Sequence, residues 1–377
     1  MSTTGSAKLY MKGYIPTLDG WRAVAISMVI FYHMFFGLVD KKSTAFFAIS
    51  QGAKGVDIFF ALSGFLITSR MLDERDAEGA ISLRAFYGRR AFRILPPYLA
   101  YLAIVSILAA NGVVSLTRRE IWGCLLFVRN YLPLPDINNW YTAHFWSLSV
   151  EEHFYLFWPL LLVLFGTSGS RKAAVALALG VAVWRKVDVT YHIISPYGMG
   201  RTDTRIDALL WGAFLALLVH PTEARARIAT RLTPRIWVIV VLIVLATAWY
   251  EPPFGLTIQS FLVPWMILGT VLNPGFWGSR VLESSLLRWI GRLSYSLYIW
   301  QQLCISSVWP VVEFPPYISQ TAANLMIGCL ATITFGVVSH YVIERPLMRF
   351  GKRFLSGSKV KPFSPVTLLT ENGVKSH

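Results

Sequence analysis

Runs of mostly apolar residues alternate with short basic connectors along almost the whole chain. The apolar runs lie at about 20–39, 55–72, 96–114, 145–166, 173–191, 205–220, 236–250, 256–272, 292–312 and 319–343. A helix needs about 20 apolar residues to cross the hydrocarbon core. The pattern therefore predicts an all-α bundle of about ten transmembrane helices. The stretch 121–140 is broken by Pro133 and Pro135 and reads as a re-entrant or surface element. An eleventh span there would reverse the sidedness of everything after it.

Sidedness follows from the basic residues. With the N-terminus inside, the inner segments carry 21 Lys and Arg and the outer ones 7. That asymmetry places both termini on the cytoplasmic side. Residues 1–354 read as one membrane domain, and 355–377 as a polar cytoplasmic tail expected to be disordered. The first apolar run holds Arg22 and has no small-residue cleavage site, so it reads as a retained helix and not a signal peptide. No internal repeat supports an inverted-repeat transporter.

Composition agrees. The chain of 377 residues is 55% hydrophobic and 15% charged, with a mean hydropathy of +0.51. A soluble protein of this length carries closer to a quarter charged residues. The 27 glycines suit close helix packing and the 14 tryptophans suit headgroup level. A net charge of +15 could suggest nucleic acid, but the basic residues lie between apolar runs and read as topology and lipid-headgroup signals. Cys124, Cys304 and Cys329 form no CxxC, so neither a disulfide framework nor a metal site is expected.

Ionisable residues inside spans mark candidate function. Arg22 and His33 are eleven positions apart in the first run, about three turns plus ~20°, so they share a face across ~16 Å of rise. His144–Pro159 reads HFWSLSVEEHFYLFWP, with Glu151 and Glu152 pointing ~100° apart and Ser147 one turn before Glu151. In the inner loop FYGRRAFRILPP, Arg90 and Arg93 are i, i+3 and Arg89 and Arg93 are i, i+4. They make a basic face suited to phosphate, whether of lipid or of a soluble anionic cofactor. Asp57, Ser63 and Gly64 interrupt the second apolar run, and Arg205 and Asp207 sit at an expected outer mouth. Arg185, Lys186 and Asp188 lie near the outer end of the fifth run.

Together, IPTLDGWRAVAI, GVDIFFALSGFLIT, FYGRRAFRILP, WSLSVEEHFY, GRLSYSLYIW and IERP, in that order from about Ile15 to Pro346, resemble the acyltransferase-3 family of membrane proteins. The resemblance implies an enzyme moving an acyl group, most often acetyl, from acyl-coenzyme A to a hydroxyl. The acceptor would be an envelope or exported glycan, a lipo-oligosaccharide or a small molecule, and the setting a bacterial inner or plasma membrane. No permanently bound cofactor is implied. The family's R-x10-H pattern falls on Arg22 and His33, its RxxR pattern on Arg90 and Arg93, and its WSLxxE pattern on Trp146 to Glu151.

Two departures stand out. Gln301 occupies a position often held by histidine, and no hydrolase-like domain follows the last span, so the chain is expected to transfer alone or hand on to a partner. On this basis His33 is expected to act as general base, with Glu151 orienting its imidazole. Covalent acylation of His33 is the variant. Arg22, Arg90 and Arg93 are expected to hold the donor's phosphates. Ser63 or Trp146 would stabilise an oxyanion. Asp57, Ser63, Trp146, Ser147, Arg205 and Asp207 would serve the acceptor side or give structural support. The rival readings are a transporter of a polar or lipid-linked solute and a non-catalytic scaffold of an envelope assembly.

Overall fold

The computed structural model describes residues 14–132, 140–193, 200–250, 254–305 and 320–356. Among them every regular element is a helix and there is no strand. Five helical stretches are long and apolar enough to cross a membrane: Thr44–Glu78, Leu83–Ala110, Trp140–Tyr191, Gly255–Leu272 and Ala323–Leu355. A sixth appears if Thr222–Arg231 and Pro234–Tyr250, bent by 78°, count as one span. The difference from ten has physical causes. Helix α1 (Pro16–Phe35) carries Asp19, Arg22 and His33, and α14 (Ser285–Cys304) carries Arg288, Arg292, Gln301 and Gln302. Those polar side chains lower the hydropathy of helices that nevertheless pack in the bundle interior. Helix α9 (Asp207–Val219) has only 13 residues.

Helix α1 starts on Pro16, whose missing N–H costs nothing in a first turn, with Asp19 beside the positive helix end. A seven-residue helix, α2 (Thr44–Ser50), leads to α3 (Gly55–Glu78), which runs back beside α1. The capping serine Ser82 then opens α4 (Leu83–Ala110), whose Oγ accepts from the Ala85 amide. Inside α4, Pro96 and Pro97 leave the carbonyls of Phe92 and Arg93 without their helical donors.

Residues 118–132 form an eight-residue helix, α5 (Arg118–Leu125), and one 3-10 turn. The Thr117/Glu120 capping box starts α5. Eight residues rise only ~12 Å, too little for a span. Pro133 and Pro135 lie outside the described residues.

A four-residue helix, α6 (Trp140–Ala143), precedes α7 (Phe145–Tyr191), in which Gly166 takes φ +60 and ψ −169. Ser170 Oγ donates to the Leu161 carbonyl at 3.1 Å. Nine residues of straight helix would separate them by ~13 Å, so the chain doubles back at Gly166. Two antiparallel arms result, in the places where the hydropathy pattern sets two runs.

Beyond the short α8 (Thr202–Arg205), α9 is buried on nearly every side. It packs on α3, on α7 and on α12 (Gly255–Leu272). Between α9 and α12 come α10 (Thr222–Arg231) and α11 (Pro234–Tyr250), and α13 (Trp277–Leu282) follows α12. Small residues set the α3–α9 crossing. A Cβ on Gly64 would lie 2.0 Å from the Leu209 carbonyl oxygen, and one on Gly212 would lie 2.3 Å from that of Ala61. Both obstacles are backbone, so the helices themselves would have to part. Gly212→Val is expected to lower stability by about 1–3 kcal/mol or more. A thermal melt in detergent equal to that of the parent protein would contradict the crossing.

Helix α15 (Gln320–Val338) continues through a π-helical turn (Ser339–Glu344) into α16 (Arg345–Ser356). Helix α16 lies on α4, with Phe92 against Phe350 and Phe354. Helix α16 is described as far as Ser356. The rest of the expected tail, 357–377, lies outside the described residues.

Candidate active site

Helix α14 gathers the polar strings. The Tyr295 hydroxyl donates to the Ile94 carbonyl at 2.7 Å and Ser296 Oγ to Glu344 at 2.9 Å. The Tyr298 hydroxyl lies 2.5 Å from Ser147 Oγ and 2.9 Å from the His144 carbonyl. Glu344, the glutamate of IERP, is buried and also meets His340 at 3.0 Å. Segments 48 to 201 residues apart in the chain therefore meet on one helix.

Two cavities meet at Arg22, Arg90 and Arg93. The larger, about 520 Å³, opens at the end of the bundle carrying Arg70, Glu74, Arg89 and Lys352. The smaller, about 80 Å³, reaches inward past Ser63, Ser147, Glu151 and Tyr298. All three arginines line both. Arg22 donates to Asp19 at 3.0 Å, and Asp19 also accepts from Tyr14 at 2.8 Å. Arg89 is tied to Glu74 at 2.6 Å. Arg90 lies 4.8 Å from the Tyr155 ring centroid and Arg93 beside it. Neither makes a hydrogen bond or close ion pair among the described residues. Their guanidinium forks are free to bind an anion at the junction.

The carboxylate of Glu151 sits in the smaller cavity, accepting from Tyr155 at 2.5 Å and from Ser63 at 3.2 Å. Here the structure corrects the expected pairing of Glu151 with His33. The residues of the α6–α7 segment near His33 are Trp140, against its ring, and His144, linked to it through Gln302. Glu151 lies seven residues beyond His144, ~10 Å of helical rise away. Glu152 lines the same cavity.

His33 instead meets the end of α14. Its Nδ1 is 3.2 Å from Gln301 Oε1 and its Nε2 3.3 Å from Gln302 Nε2. Trp140 stands edge-on at 5.4 Å. Gln302 Oε1 then lies 2.6 Å from His144 Nδ1, and the His144 carbonyl accepts from Tyr298. A polar chain thus runs from the small cavity through Tyr298, His144 and Gln302 to His33. His33 is not among the side chains lining the cavity itself. The departure at Gln301 proves to be a direct partner of His33.

The expected acceptor-side charges are engaged elsewhere. Arg205 binds Asp57 at 2.7 Å and lies 5.5 Å from the Trp146 ring. Asp207, 1% exposed, takes both nitrogens of Arg185 at 3.0 and 2.7 Å, and Arg185 also donates to the Thr204 carbonyl. These pairs fasten α8 to α3 and α9 to α7. Both charges are paired between packed helices, where an unpaired charge would cost more than the pair does. Of the supporting residues, Ser63 and Ser147 line the small cavity, whereas Asp57 and Trp146 belong to this bracket. Among the described residues, no group of three or more His, Cys, Asp or Glu converges as metal ligands would.

Sequence reasoning gave no role to Tyr155, Tyr298, Gln302 or His144. Helical spacing held part of the signal: Tyr155 follows Glu151 by four, and Gln302 follows Tyr298 by four. The contact of Gln302 with His33 spans 269 residues and no local pattern carries it.

The fold and site define a membrane helical bundle that brings a basic junction and a buried polar relay onto one helix. A family model described as an acyltransferase domain matches residues 15–341, and the chain belongs to that family. A Staphylococcus aureus (strain COL) protein provisionally named as an O-acetyltransferase is 29% identical over 94% of this chain and 60% of its own length. The peptidoglycan O-acetyltransferase OatA of Listeria monocytogenes is 29% identical over 91% of this chain and 57% of its own. A Bacillus subtilis protein provisionally named as a peptidoglycan O-acetyltransferase, YrhL, is 29% identical over 91% and 56%. The chain therefore spans about 60% or less of the length of these relatives. No solved structure matches it significantly.

Proposed function

We propose that the protein is a membrane O-acyltransferase that moves an acetyl group from acetyl-coenzyme A to a hydroxyl of a glycan. The observation that carries this is the junction of Arg22, Arg90 and Arg93 between a wide vestibule and a narrow inner cavity. The positive-inside count supports placing that end at the cytosol, with ten membrane crossings and both termini inside. Acyl-coenzyme A is made there, and its nucleotide end is strongly anionic. The arginines would hold its phosphates while the uncharged pantetheine arm enters the inner cavity. The acetyl transfer and glycan acceptors named for the relatives support the choice of group and acceptor.

In this mechanism His33 takes the acceptor's hydroxyl proton as its oxygen attacks the thioester carbonyl. A C–O bond forms, the C–S bond breaks, and the imidazolium returns the proton to the leaving sulfur. Ser63, Tyr155 and Glu151 stay hydrogen-bonded to one another on the cavity wall, where they line the path of the pantetheine arm.

The test is coenzyme A release by purified protein, with and without peptidoglycan fragments as acceptor. Release that depends on the fragments supports the proposal, and none with any glycan opposes it. Arg90→Ala/Arg93→Ala is expected to raise KM for acetyl-coenzyme A at least tenfold, since charged hydrogen bonds contribute roughly 1.5–3 kcal/mol each. An unchanged KM would remove both arginines from the donor site.

A further inference from the structure

The side-chain amide of Gln302 can lie only one way round. Its Oε1 accepts from the backbone N–H of His144 at 3.2 Å, a group that can only donate, and also lies 2.6 Å from His144 Nδ1. Turned over, the amide would set its own N–H groups against that backbone donor. The NH2 end must therefore face His33 Nε2, 3.3 Å away. An amide nitrogen only donates. His33 Nε2 is thus the lone-pair nitrogen, and the proton of the neutral ring sits on Nδ1, from which it reaches Gln301 Oε1 at 3.2 Å.

Gln301 has no such constraint. Its Nε2 is buried and has no hydrogen-bond partner, so its amide can turn over without losing a bond there. Gln301 follows the imidazole, and Gln302 decides it. Gln302 is itself held, 2% exposed, with its backbone carbonyl accepting from Trp140 Nε1 at 2.7 Å. His144 is fixed by the same amide: its Nδ1–H donates to Gln302 Oε1.

We propose that Gln302 is a positioning residue whose fixed amide holds the neutral His33 ring with its proton on Nδ1 and leaves Nε2 as the basic atom. Nε2 is then the atom that receives the acceptor's proton, and an arriving hydroxyl displaces only a long amide contact to reach it. The catalytic consequence rests on His33 acting as base; the tautomer does not.

The experiment is nitrogen NMR on the full chain labelled with 15N-histidine in detergent, with the His33 signals identified by their loss in His33→Asn. The parent protein is expected to show a protonated Nδ1 and an unprotonated Nε2 at His33. In Gln302→Glu the same position offers only acceptors, so Nε2 is expected to become protonated. In Gln302→Met, which keeps the volume and removes both partners, a mixture of tautomers is expected. Nδ1-only protonation persisting in both variants would overturn the proposal. Acyl transfer is measured alongside. Gln302→Glu is expected to lose on the order of 10²-fold in kcat with KM for the donor within about twofold, a split that a merely structural role would not give. A changed tautomer with unchanged kcat would leave Gln302 its positioning role and remove His33 as the base.

Discussion

In His33→Ala, transfer to the glycan hydroxyl falls by about 10²–10⁴-fold, the usual contribution of a general base, while the dissociation constant for coenzyme A stays within about twofold. The separation follows from the geometry. The arginine junction lies near the start of α1 and His33 eleven residues on, ~16 Å along the same helix. Nothing in the Arg22–Asp19 pair or around Arg90 and Arg93 touches the imidazole. Single-turnover transfer and calorimetric titration with coenzyme A check the two halves. Full transfer activity in His33→Ala would end its assignment as base, and lost coenzyme A binding would mean that the two sites are not independent.

The largest expected loss of stability comes from Asp207→Ala. Asp207 is 1% exposed and takes two nitrogens of Arg185, whose side chain is itself 7% exposed. Removing the carboxylate leaves a buried guanidinium with, among the described residues, the Thr204 carbonyl and the Thr257 hydroxyl as partners. Breaking a buried pair in this way costs about 3–5 kcal/mol. Replacing both members with apolar residues, Arg185→Met/Asp207→Leu, is expected to recover most of the loss, because no charge is then stranded. Thermal melts of both variants in the same detergent give the comparison. A single variant as stable as the double would contradict the bracket.

Much of the architecture is visible in the order of apolar and basic residues. Each of the ten apolar runs overlaps a helix, and Arg22, Arg90, Arg93, Ser63, Ser147 and Glu151, chosen for their chemistry, all line one cavity. Two kinds of information were absent. Hydropathy undercounts polar turns that are nevertheless helical, so α4 begins at Leu83 and α14 at Ser285, well before their apolar runs at 96 and 292. Pairing across the bundle is not encoded locally. Asp57 meets Arg205 across 148 residues of chain, and Glu151 and His33, matched by chemical type, sit at different depths. Spacing along one helix could place Arg22 and His33 on a shared face, but it could not choose the helix that face meets.

Helix α14 is one unbroken rod from Ser285 to Cys304. Just past mid-length it carries Ser296, bound to the buried Glu344; two residues on, Tyr298, bordering the small cavity; and near its C-terminal end both glutamines against the imidazole. Twenty helical residues make a rod of ~30 Å, so a swing of about 5° displaces its tip by roughly 2–3 Å. That stroke is enough to break every contact at the far end together. Tilting one rod would thus alter the cavity's width and the histidine's surroundings in a single movement, with no separate signal passed between them.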